Sequence, residues 1–188
     1  MTAQTPLTGE PLALDLVNTR HATGDHLSSP AALRAWLDLQ AVRHGEAREF
    51  AALPLTERDL AAARQVRDRA AHALDRVRHG AAPEPADLDA LNLAQRAAPS
   101  VGELGWDGEA VTLTFRRAGP RDVRLAAWLA EAVAGLLADP AVARVRQCEA
   151  DDCVMLFLPA HPRRRWCSAA RCGNRTRVAR HYQRRRPA

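Results

Sequence analysis

A chain of 188 residues, 47% hydrophobic and 26% charged, has enough apolar material for one packed domain of about 140 residues plus a small appendage. No run approaches the roughly 20 apolar residues that span a bilayer, and residues 1–11 form neither a basic nor an apolar leader, so a cytoplasmic protein that does not enter the membrane is expected. The net charge of +5 is unevenly placed: from Arg144 onward 12 arginines face three acids, a net +9, whereas the first 143 residues hold 15 arginines against 19 acids, a net −4.

In chain order, Gly9 to Arg20 fits two periods, with Leu12, Leu14 and Leu16 in alternation and Leu12, Leu16 and Val17 at helical spacing; a helix is the expectation. Asn18 and Thr19 end this apolar segment and admit two readings, as the lining of an effector pocket or as local caps of the backbone. Thr19 to Ser29 is a polar loop. Its His21 and His26 lie near Asp25 but lack a third metal ligand at matching spacing. Ser29-Pro30 supplies an N-cap followed by proline at the first helical position, predicting a helix that buries Leu33, Trp36, Leu37 and Val42.

Thr56 and Asp59 have the spacing of a capping box and open a helix to about His79, with Leu60, Ala63, Val66, Ala70, Leu74 and Val77 inward and Gly80 as its stop. Ala86 to Ala97 reads as a further helix with Leu88, Leu91 and Ala94 inward. The period then changes: Leu104-Gly105-Trp106, the turn dipeptide Asp107-Gly108 and the alternation from Val111 to Phe115 predict a β-hairpin. Arg121 to Ala138 returns to helix, burying Leu125, Trp128, Leu129, Ala132 and Leu136 until Asp139-Pro140 breaks it. Trp36, Trp106 and Trp128 are expected in the core. The fold class is therefore mainly α with one β-hairpin, over a domain expected at residues 1–142.

Residues 143–188 contain all four cysteines, Cys148, Cys153, Cys167 and Cys172, in two pairs with equal four-residue gaps. In a reducing compartment such spacing points to one structural Zn2+ rather than to two disulfides, because two tight turns can each deliver two sulfurs to a tetrahedral ion. Four thiolates leave no open coordination position, and no nucleophile, base and orienting group cluster elsewhere, so an enzyme is not expected. His161, between the pairs, is read as a solvent-facing turn residue. Val154 to Leu158 reads as a strand, Pro159 to Pro162 as a turn and Arg163 to Trp166 as the return arm of a hairpin, followed by a helix after Cys172. On that helix Arg177, Arg180 and Arg184 form one stripe with His181, while Arg175 faces the hairpin, placed to pair with Asp151 or Asp152 or to cap a carbonyl. With Arg163, Arg164 and Arg165 on the hairpin, the stripe supplies six candidate phosphate contacts.

The segment Trp166-Cys167-Ser168 followed by Cys172-Gly173-Asn174-Arg175 resembles the CGNR zinc finger, and Leu14-Asp15-Leu16-Val17-Asn18-Thr19 resembles the ABATE domain that precedes it. Members are described as stress-induced transcriptional regulators. The resemblance implies the four cysteines as zinc ligands, a structural role for Gly173, Asn174 and Arg175, and no catalytic residue. It makes a DNA-binding regulator the leading expectation, with duplex DNA, a small-molecule effector and a second copy of the chain as partners. The alternative is a zinc-dependent module that binds protein or RNA.

Overall fold

A computed structural model describes residues 8–22 and 24–178. Among the described residues the helical domain has α1 (Leu12–Val17), α2 (Pro30–Gln40), α3 (Gly45–Ala51), α4 (Glu57–Arg78), α5 (Pro85–Ala97) and α6 (Arg121–Ala138). Three two-stranded antiparallel sheets accompany them: β1 (Arg20–His21) with β2 (Gly24–Asp25), β3 (Val101–Trp106) with β4 (Val111–Arg116), and β5 (Arg146–Gln147) with β6 (Leu156–Phe157). The mainly helical domain and the small finger after it match the expected class. No helix among the described residues is long and apolar enough to cross a membrane.

Helices α4, α5 and α6 pack on one another, and α1 is wedged against α4 and α6. Both periods visible in α1 have one cause: Leu12, Ala13, Leu14, Asp15 and Leu16 are all buried, so the helix is covered on every side. Its one charge is fully satisfied. The Asp15 carboxylate accepts from the Gly9 and Glu10 amides at 3.0 and 3.1 Å, from Gln40 Nε2 at 3.2 Å and from Arg43 Nη1 at 2.9 Å. Gln40 thus takes the buried position that the sequence assigned to Val42, which lies past the end of α2 and is 85% exposed.

The helix boundaries follow the local chemistry. Ser29 Oγ accepts from the Ala32 amide at 3.1 Å, and Gly80, at φ +74°, ends α4 while the Ala81 amide donates to the Arg76 carbonyl. Thr56 and Asp59 form the reciprocal capping box, and Asp59 also receives both Nε and Nη2 of Arg121, at 3.0 and 2.7 Å. Asp59→Ala is expected to cost about 2–3 kcal/mol in urea unfolding, since it removes the cap and leaves Arg121 without its acceptor. Burial would raise the Asp59 and Asp25 carboxyls, but hydrogen bonds from Arg121 and Thr56, and from Arg67 and the Leu27 amide, outweigh it and hold both below their ordinary value. A depressed folded pKa gives stability that is complete above the unfolded value near ~4 and lost as pH falls below it. The acid limb should accordingly flatten in Asp59→Ala.

Three further expectations need correction. Trp106 is 66% exposed, at the end of a strand whose six residues are all exposed. Leu88, on the outer side of α5, is 38% exposed, and the buried polar residue there is Asp87, held by Arg69 and His72. In the finger, β6 pairs not with residues 163–166 but with β5, in register Arg146↔Phe157 and Gln147↔Leu156. Pro159 and Pro162 cannot donate to a ladder, so the return arm runs as bends, and its backbone meets the chain after β5 where the Glu149 amide donates to the Arg165 carbonyl at 3.0 Å.

Candidate metal centre and nucleic-acid interface

The β5–β6 hairpin carries the first cysteine pair in its loop. Cys148 extends the ladder, its amide donating to the Met155 carbonyl at 2.9 Å, and the chain reverses through Asp152 at φ +61°, a left-handed conformation that aspartate tolerates better than most residues. The second pair frames a turn capped by Ser168, whose Oγ accepts from the Arg171 amide. That turn, Ala169–Gly173, is a wide π-type turn, and helical backbone continues over 174–178. The two loops bring all four sulfurs within 4.8 Å of one another.

The sulfur spacing tests the metal directly. Sulfurs about 2.3 Å from a tetrahedral ion stand about 3.8 Å apart. Cys153 to Cys167 is 3.8 Å, Cys172 to Cys153 is 3.8 Å and Cys167 to Cys172 is 3.6 Å. The cysteines fit one structural zinc ion. Cys148 and Cys172 are buried and the other two are half-buried, among Ala150, Met155, Phe157 and Trp166. Without metal the sulfurs share protons unequally: the Cys167 thiol donates to Cys153 and brings it down to about 5, while burial pushes Cys172 up to about 11. Zinc therefore displaces protons as it binds.

The remaining residues of the motif hold this geometry. Gly173 lies under Trp166, and a Cβ there would come within 3.4 Å of the ring. Asn174 Oδ1 accepts from Arg177 Nη2 at 2.7 Å. Arg175 Nη2 caps the Asp151 carbonyl at 2.7 Å, locking the second loop to the first.

The six candidate phosphate contacts divide. Arg164 is an internal brace: its guanidinium lies 4.5 Å from the Phe157 ring centroid and donates to the Trp166 and Cys167 carbonyls and to Glu10 Oε1, at 3.1, 2.6 and 2.6 Å. Arg165 is exposed but paired with Glu149 at 2.5 Å. Arg163 and Arg177 are exposed on the surface, as is Arg171, which the sequence reading had not selected. Arg180 and Arg184 lie outside the described residues. His161 stays out of the sulfur cluster, its Nδ1 accepting from the Arg163 amide.

Asn18 and Thr19 have structural occupations. Asn18 Nδ2 donates to the Leu156 carbonyl and Asn18 Oδ1 accepts from the Leu156 amide, both at 2.8 Å, so one buried side chain completes both backbone groups of a β6 residue. The Thr19 hydroxyl donates to the Leu16 carbonyl at 2.6 Å and accepts from Arg67, which is itself bidentate to Asp25. Glu10 repeats the Asn18 device two residues on, accepting the Leu158 amide at 2.9 Å. The finger is thus joined to the helical domain through Glu10, Asn18 and the buried side chain of Leu156. His21 and His26 stack edge to face with centroids 4.8 Å apart, and Asp25 beside them is taken by Arg67, so among the described residues they join no metal-ligand cluster.

Comparison with known families agrees with this division of labour. The ABATE family model, described as "Putative stress-induced transcription regulator", matches residues 10–140, and the CGNR zinc finger matches residues 144–185. Neither is an enzyme family. No curated protein matches the chain.

Proposed function

The chain belongs to the ABATE family, with a CGNR zinc finger at its C-terminal end, and we propose that it is a transcription regulator whose finger binds duplex DNA. The charge asymmetry carries this reading. Residues 144–188, which include the four-sulfur cluster, carry a net +9, while the preceding residues are net negative. A polyanion is therefore attracted to one end of the molecule. Arg163, Arg171 and Arg177, exposed around the sulfur cluster, are our candidates for phosphate contacts, and the helix continuing past Cys172 is the element suited to a groove. The helical domain senses a signal or assembles the regulator.

Binding to random duplex DNA over a salt series tests this reading. Affinity should fall linearly on logarithmic axes, and Arg163→Ala and Arg177→Ala should each lower the slope by about 1. Arg164→Ala should instead weaken docking of the finger. Salt-independent binding, or binding to single strands or protein alone, would replace the duplex reading with the interaction-module reading.

A further inference from the structure

The β3–β4 hairpin is an arm in water. Eleven of its twelve strand residues are exposed, Thr112 being half-buried. Its register opposes Gly102 to Phe115, Leu104 to Leu113 and Trp106 to Val111, and in the alternate positions Val101 to Arg116, Glu103 to Thr114 and Gly105 to Thr112. Opposed residues project to the same side, so the hairpin is sorted by face. One face carries Val101, Glu103, Thr112, Thr114 and Arg116, with Arg116 and Glu103 paired at 3.2 Å. The other carries Leu104, Trp106, Val111, Leu113 and Phe115, exposed by 78, 66, 68, 57 and 63%, with no charge among them.

A lone two-stranded hairpin is marginal in water, and strict alternation is the pattern of a strand with one side covered. From this arrangement we infer that the apolar face of the hairpin is a homodimer interface, covered by the same face of a second copy. Two observations select a second copy. The five side chains expose roughly 600 Å² per copy, so two faces together bury about 1,200 Å², the lower range of specific interfaces. The face is also self-complementary about a two-fold axis running across the strands at the Leu104–Leu113 pair. That axis stacks leucines on leucines and sets Trp106 of each copy over the Gly102 end of the other. Leu113 and Phe115 lean over Gly102, where a Cβ would lie 3.0 Å from Leu113 Cδ1, so Trp106 of the other copy stacks on those two side chains rather than on the backbone. An uncharged face offers no electrostatic handle to an acidic or basic partner.

The interface deepens the regulator reading, since a two-fold assembly presents two fingers, but it stands on the hairpin alone and is tested without DNA. Sedimentation velocity of the full zinc-loaded chain, over a concentration series, should show a monomer–dimer equilibrium. Leu113→Glu and Leu104→Glu should each weaken association at least about tenfold, whereas Thr112→Glu, one residue away on the opposite face, should leave it unchanged. Helical circular dichroism and zinc content confirm that each variant is folded. A wild-type chain that remains monomeric throughout, a dimer that survives both leucine substitutions, or one that Thr112→Glu disrupts equally would overturn the inference.

Discussion

Cys172→Ser is expected to empty the metal centre and unfold the finger while the helical domain stays folded. Among the described residues, Ala150, Met155 and Phe157, with Trp166 and the sulfurs, make up the apolar cluster of the finger. Such a cluster cannot offset the chain entropy of some 30 residues, whereas a four-thiolate zinc contributes on the order of 10 kcal/mol. A serine hydroxyl does not deprotonate at neutral pH to replace the lost thiolate. Zinc analysis should fall from one ion per chain to almost none, and limited proteolysis should cut between residues 148 and 178. Most helical circular dichroism should persist, because the core formed by Leu14, Leu33, Leu60, Leu74, Leu125 and Leu129 contains no sulfur ligand. Retention of one zinc with an intact finger would show that three sulfurs suffice.

Asn18→Ala should have the largest effect outside the metal site. It strips partners from both backbone groups of Leu156, where Asn18 is 2% and Leu156 7% exposed, and unpaired buried groups cost about 1–3 kcal/mol each. A loss of about 2–4 kcal/mol in urea unfolding is expected, with the finger's zinc retained, since no ligand is touched. Proteolysis at the junction of finger and helical domain should rise in step. An effector-pocket role would give a different signature, near-normal stability in the Asn18→Ala chain, and a change under about 0.5 kcal/mol would contradict the docking role.

The parts of this architecture that the sequence makes legible are those governed by neighbours along the chain. The Ser29-Pro30 start, the Thr56–Asp59 box, the Gly80 stop and the Asp139-Pro140 break all work within a few residues, and each stands where expected. The cysteine pairs are legible for the same reason: each spans one turn. Helix α3 was hidden because its seven residues offer only Ala47, Phe50 and Ala51 to the core and His44 provides no side-chain cap. The hairpin in the finger was assigned the wrong partner because the apolar run from Val154 to Leu158 signals a strand without naming its neighbour, and β5 is only two residues long. Asn18 and Arg164 act on partners 138 and 154 residues away, at Leu156 and Glu10. Nothing local distinguishes Arg164 from Arg163 and Arg165, yet one braces the finger and the others face solvent.

In the proposed regulator the metal folds the finger, and DNA then meets it. Zinc titrated into the metal-free full chain, with duplex binding followed by fluorescence anisotropy at fixed low salt, tests that order most directly. The predicted result is binding that rises in proportion to added zinc, saturates at one ion per chain and is abolished in Cys172→Ser. Duplex binding that is already complete before zinc is added, or a chain that fills with one zinc and still ignores duplex DNA, would contradict it.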